Sequence, residues 1–162
     1  LSEKKGVEYL VRAMEYLPDP YQLRIVGDGP QRKSLEELAV ELGQSTRIEF
    51  SGQVPYAQIG DVYAQADVFV HPGIWPEPFG RTILEAMQAG LPIVCTDVGA
   101  PPELVADDDL IVGVRDPNGL AEAIEYAKSG EVDEQHRKQV LDAHAPANVV
   151  LKIIELYSEL GN

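Results

Sequence analysis

The stretch from His71 to Glu103, HPGIWPEPFGRTILEAMQAGLPIVCTDVGAPPE, decides how this chain folds. An apolar run before it, Val68 to Val70, reads as a strand that leads into His71-Pro72. A loop then passes into a helix with a buried stripe of Ile83, Leu84 and Met87. The apolar run Pro92 to Cys95 supplies the next strand, Ile93 to Cys95. Strand, helix and strand in that order make a βαβ unit, whose crossover brings the second strand back parallel to the first. The Gly- and Pro-rich run from Thr96 to Pro102 reads as an ordered loop between core elements, with Glu103 opening a short helix.

The alternation continues both ways. Val7, Leu10, Val11, Met14 and Leu17 mark a first amphipathic helix that stops at Pro18. Leu23 to Val26 is a strand running into the turn Gly27-Asp28-Gly29-Pro30, with Pro30 placed for the first helical position. Leu35, Leu38, Ala39 and Leu42 follow on a helix closed by Gly43. Ile48 to Phe50 is the next strand, Ser51 to Pro55 the loop after it, and a helix around Pro55 to Gln65 turns Ile59, Val62 and Tyr63 inward. Beyond the central stretch, Leu110 to Val112 is a last strand, preceded by a solvated turn at Asp107 to Asp109. Asp116-Pro117, cap and first position, starts a helix carrying Leu120, Ala121, Ile124 and Ala127. Residues 131–144 read as a surface helix, and Val149, Val150, Ile153, Ile154, Tyr157 and Leu160 form a final apolar stripe after Pro146. The expectation is an α/β fold: a Rossmann-like three-layer α/β/α sandwich with a mainly parallel sheet, in one domain spanning 1–162.

Composition narrows the function. A chain of 162 residues with 44% apolar residues suits one globular domain with a proper core. No segment approaches the roughly 18 apolar residues of a membrane span, and no signal-peptide pattern begins at Leu1. Against 13 basic residues stand 27 acidic ones, a formal charge of −14, which opposes binding to nucleic acid or an anionic membrane. The single cysteine, Cys95, excludes an internal disulfide framework, fits a reducing, cytoplasmic setting and reads as a buried structural thiol. His71, His136 and His144 have no cysteine or carboxylate at metal-ligand spacing, so no metal is expected.

The candidate chemistry lies at Glu77 and Glu85. Glu77 is on a loop, followed by Pro78, Phe79 and Gly80. Glu85 is on the helix that Gly80 begins, about 7 Å along its axis and at the edge of the apolar stripe. The unpaired N–H groups of that first turn form a ready anion site, which Gly80 leaves open and to which Arg81 and Thr82 add donors. Carboxylates on either side of such a site suit sugar hydroxyls, which donate hydrogen bonds to them. From chemistry alone, a solvated loop carboxylate and an exposed helix residue serve equally well as readings. Phe79 and Trp75 suit either a sugar face or the core, and His71 is favoured as a polar strand-end residue over an acid or base.

PEPFGRTILEAMQAGLPIVCTDVGAPPE resembles the E-x7-E signature of the retaining, nucleotide-sugar-dependent glycosyltransferases of family 4, which have the two-domain GT-B fold. EKKGVEYLVRAM, LRIVGDGPQRKSLEELA and RIEFSGQVPYAQIGDVYAQADVFVHP are similar to successive segments of their carboxy-terminal, donor-binding domain. The resemblance implies catalytic roles for Glu77, toward the transferred sugar, and for Lys5, toward the diphosphate. It implies donor binding by Phe79, Gly80, Arg81, Thr82 and Glu85, with Glu85 on the ribose, and by Gly27, Gly29 and Val54 on the loops nearest the nucleotide. The partners it implies are a nucleotide sugar and an amino-terminal acceptor domain outside this chain, through which the enzyme would meet a membrane surface peripherally; no cofactor is implied. A Gly-Arg pair that normally precedes Leu1 in the family, and the family's first strand, are not in the sequence. Two other readings stay open: a non-catalytic nucleotide-sugar-binding module and a GT-B sugar-nucleotide epimerase.

Overall fold

A computed structural model describes residues 1–105, 107–130 and 132–151. The chain divides into two compact units, Leu1–Glu131 and Val132–Asn162.

In the first unit, a 3-10 turn at Glu3–Lys5 leads into α1 (Val7–Ala13), followed by β1 (Leu23–Val26), α2 (Arg32–Glu41) and β2 (Ile48–Gly52). A 3-10 turn and the short α3 (Ile59–Tyr63) come next, then β3 (Phe69–His71), α4 (Arg81–Gln88), β4 (Ile93–Thr96), β5 (Ile111–Val112) and α5 (Pro117–Ser129). Every ladder between these strands is parallel. The core follows from the pleat of β4. Val94 joins the buried cluster formed by α1, α2 and α5, whereas its buried neighbours Ile93 and Cys95 point the other way and lie outside that cluster, as do Ile83, Ala86 and Met87 of α4. Helices on both faces of a parallel sheet give the expected three layers. The second unit holds α6 (Glu134–Ala143), whose cap Asp133 accepts from the His136 N–H at 2.8 Å.

Several expectations are corrected. Backbone ladders form two sheets, β1-β2 and β3-β4-β5, and among the described residues none joins β1 to β3. A cavity of about 910 Å³ lies there, lined by Leu23 and Ile25 of β1, Val70 of β3, and Val7 and Leu10 of α1. Ile59, Val62 and Tyr63 line it too, so they are only half-buried. The first helix ends at Ala13 rather than running to Leu17. Its last turn tightens, and the Arg47 guanidinium takes the carbonyls of Met14, Leu17 and Pro18 at 3.2, 3.0 and 3.0 Å. Pro30 lies in a turn and α2 starts at Arg32, whose N–H bonds to Gly29 O at 3.0 Å. Glu103 is inside a 3-10 turn that Pro101 opens, and Leu110 closes another, leaving β5 two residues. Val149, Val150 and Leu151 are exposed, and the rest of the final stripe, Ile153, Ile154, Tyr157 and Leu160, lies outside the described residues.

Candidate functional site

Two carboxylates flank the start of α4, each with its own partners. Gly80 caps that helix at φ 81°, where glycine alone is unstrained, and no side chain closes the cap. On one side, Glu77 leaves the loop after β3 with its Oε1 paired to Lys5 Nζ and its Oε2 3.4 Å from His71 Nε2. On the other side, Glu85 Oε2 accepts from the Tyr63 hydroxyl at 3.2 Å, and Arg81 Nε stands 3.8 Å from Oε1.

The chain brings Lys5 to Glu77 through close backbone packing. Gly6, at φ 61°, caps α1 against the Pro72 carbonyl, where any Cβ would collide. Ile74 N–H then bonds to Lys4 O at 3.0 Å. The two adjacent lysines are thereby distinguished: Lys4 Nζ lies over the Trp75 ring, 4.2 Å from its centroid, and Lys5 pairs with Glu77. Trp75 is exposed rather than core, and so is Phe79.

Electrostatics follow the burial. Glu77 is half-buried, which pushes its carboxyl upward, but the hydrogen bond and charge of Lys5, aided by His71, hold it below the ordinary carboxylate value. Burial pushes His71 below its ordinary value against the raising influence of Glu77. Tyr63 is driven up by burial and by the Glu85 charge, so it stays a neutral donor. Among the described residues no group of His, Cys, Asp and Glu is arranged to hold a metal ion, and no helix is long and apolar enough to cross a membrane.

Of the residues singled out from sequence, Lys5, Gly27, Thr82 and Glu85 line the large cavity together with Tyr63 and His71. Arg81 is 84% exposed at the open helix end. Gly29 and Val54 sit on the loops after β1 and β2 and do not line that cavity. Sequence reasoning missed Tyr63 as the donor to Glu85 and His71 as the neighbour of Glu77. Helical spacing turned Tyr63 inward without naming its partner, and the ring of His71 was assigned only to a strand end.

A parallel sheet with helices on both faces is Rossmann-like, as in one half of a GT-B fold, and the comparisons agree. Residues 1–143 match the family Glycosyl transferases group 1, and the chain belongs to it. An uncharacterized glycosyltransferase of Methanocaldococcus jannaschii is 30% identical over 97% of this chain and 42% of its own length. The 2-deoxystreptamine glucosyltransferase of Streptomyces kanamyceticus is 32% identical over 94% of this chain and 37% of its own. Among solved structures, Anabaena HepE in complex with UDP superposes with a TM-score of 0.87 at 27% identity, over 98% of this chain and 46% of that one. HepE has also been crystallised with UDP-glucose, and that structure gives a TM-score of 0.85. The chain spans less than half the length of each of these relatives.

Proposed function

We propose that this chain is the donor-binding half of a retaining glycosyltransferase, which moves a sugar from a nucleoside-diphosphate sugar to an acceptor held by the remainder of the protein. The observation that carries this reading is the pair Glu77 and Glu85 on either side of the uncapped α4 N-terminus, with Lys5 already paired to Glu77. The diphosphate would lie at the helix end, where backbone N–H groups, Lys5 and Arg81 offset the −14 charge of the chain. Glu85 would accept from ribose hydroxyls and Glu77 from hydroxyls of the transferred sugar. As the glycosidic bond breaks, the leaving diphosphate gains charge, and the same donors stabilise it without an obligatory metal. Support for the ligand class comes from the UDP and UDP-glucose complexes of HepE.

Transfer needs the second domain to supply the acceptor and exclude water, so the 162-residue chain alone is expected to bind donor without transferring it. Isothermal titration with UDP-, GDP- and ADP-sugars at moderate salt tests the reading. It fails if no nucleotide sugar binds either this chain or a longer one that includes its amino-terminal neighbour.

A further inference from the structure

We propose that His71 is a positioning residue for Glu77, holding the carboxylate from the core side so that it stays aimed when Lys5 leaves it for the diphosphate of a bound donor. This rests on the donor-binding reading above.

The two partners of Glu77 differ in mobility. His71 is the last residue of β3, its main chain is fixed in register with Cys95, and its side chain is 8% exposed. Lys5 is at the end of a 3-10 turn with a side chain 52% exposed on a flexible four-carbon stem. When an anion arrives, the lysine is the partner free to swing toward it, and the imidazole is the one that stays. Lys5 and Glu77 in the ligand-free state neutralise each other, and the donor separates them.

The tautomer of His71 follows from its surroundings. Nδ1 is buried and has no hydrogen-bond partner. A proton there would be an orphaned donor, whereas a proton on Nε2 faces Glu77 Oε2 at 3.4 Å. The neutral ring therefore presents Nε2–H to the carboxylate, and burial, which pushes its pKa down, keeps it neutral. Packing does not call for an imidazole at this position. A leucine would fill a buried strand end with no unpaired nitrogen, so the polar contact to Glu77 is what histidine adds in return for that orphaned atom.

His71→Leu and His71→Gln test the role with two readouts. Without ligand, the Glu77 carboxyl is titrated by carbon NMR; Lys5 and His71 are the charged or titratable groups that bear on it. His71→Leu should raise its midpoint toward the ordinary carboxylate value, and His71→Gln, whose amide N–H replaces Nε2–H, should restore it. With ligand, calorimetry should show UDP-glucose affinity down roughly tenfold in His71→Leu, UDP affinity unchanged, and recovery in His71→Gln. A Glu77 midpoint unmoved by His71→Leu overturns the proposal, as do equal losses for UDP and UDP-glucose. If the midpoint moves but no UDP-, GDP- or ADP-sugar binds this chain or a longer one that includes its amino-terminal neighbour, the donor-binding reading falls and takes the positioning role with it, leaving only a structural contact. Should His71→Leu fail to fold, an altered Glu77 midpoint in His71→Gln combined with weakened UDP-glucose binding overturns the proposal, and native values of both support it.

Discussion

Gly99 lies against the backbone of Glu77: a Cβ on Gly99 would come 2.6 Å from the Glu77 nitrogen and 2.7 Å from its carbonyl oxygen. The same carbonyl accepts from the Ala100 N–H at 2.9 Å, and Gly99 holds a φ of +71°. The loop after β4 thus sets the loop that carries Glu77. Gly99→Ala is expected to cost about 1–3 kcal/mol of stability, because both the left-handed backbone and the contact must be relieved. If Glu77 holds the transferred sugar as proposed, nucleotide-sugar affinity should also fall as its loop shifts. Gly60→Ala is the matched control, since a Cβ there meets open space within α3 and should be neutral or stabilising by up to about 1 kcal/mol. Thermal unfolding of the two variants decides, and equal midpoints would refute the packing argument.

The two glutamates should separate by ligand. If Glu85 holds ribose and Glu77 the transferred sugar, Glu85→Gln weakens UDP and UDP-glucose alike, by about 1.5–3 kcal/mol, and Glu77→Gln weakens only UDP-glucose. Tyr63→Phe removes the hydroxyl 3.2 Å from Glu85 and should cost both ligands a smaller amount, about 0.5–1.5 kcal/mol. Calorimetry of the three variants with both ligands checks this. Equal losses for both ligands in Glu77→Gln would end the division of roles.

The parts of this molecule governed by local periodicity were legible in its sequence. Leu23 to Val26 is a strand as its apolar run indicates, and Asp116 caps α5 through the Gly119 N–H at 2.9 Å, as Asp-Pro predicts. Glu85 falls at the edge of the α4 stripe because 3.6-residue spacing fixes its direction, although Ala86 rather than Leu84 completes the buried face. What escaped were contacts that local periodicity does not set. Arg47 ends α1 from 30 residues away at Leu17, and His71 reaches Glu77 only because the loop after β3 folds back. The split of the sheet was also hidden, since each strand reads the same whether or not a neighbour lies beside it. The resemblance to a family supplied Lys5, which spacing alone did not distinguish from Lys4.

Cys95 should be inert in the folded chain. It is fully buried in β4, and burial, with the Asp97 charge, pushes its thiol up to about 12, so almost no thiolate is present at neutral pH. Reaction with a thiol reagent should therefore follow global unfolding, with a rate that rises with denaturant in step with loss of the folded signal. Rapid stoichiometric labelling of the native chain would contradict the placement of β4 between two layers.

Acid sensitivity should arrive in two stages. Burial, joined by the Lys5 charge and only partly offset by Glu77, holds His71 below its ordinary 6.5, so the unfolded chain takes up this proton first as pH falls. Between the two values the unfolded state binds more protons, and stability is lost as the pH drops below about 6.5. Burial pushes Glu77 upward, but Lys5 and His71 outweigh it and hold the carboxyl below its ordinary 4.5. Its contribution is complete above that value and disappears as pH falls through the lower folded one. Both losses have the same sign, so the thermal midpoint should begin to fall near pH 6.5 and fall further below pH 4.5. His71→Gln cannot take up a proton and should remove the first stage while Lys5 preserves the second. Midpoints measured from about pH 7 to about pH 4 in both proteins test this, and a first stage that persists in His71→Gln would show that the buried imidazole is not its source.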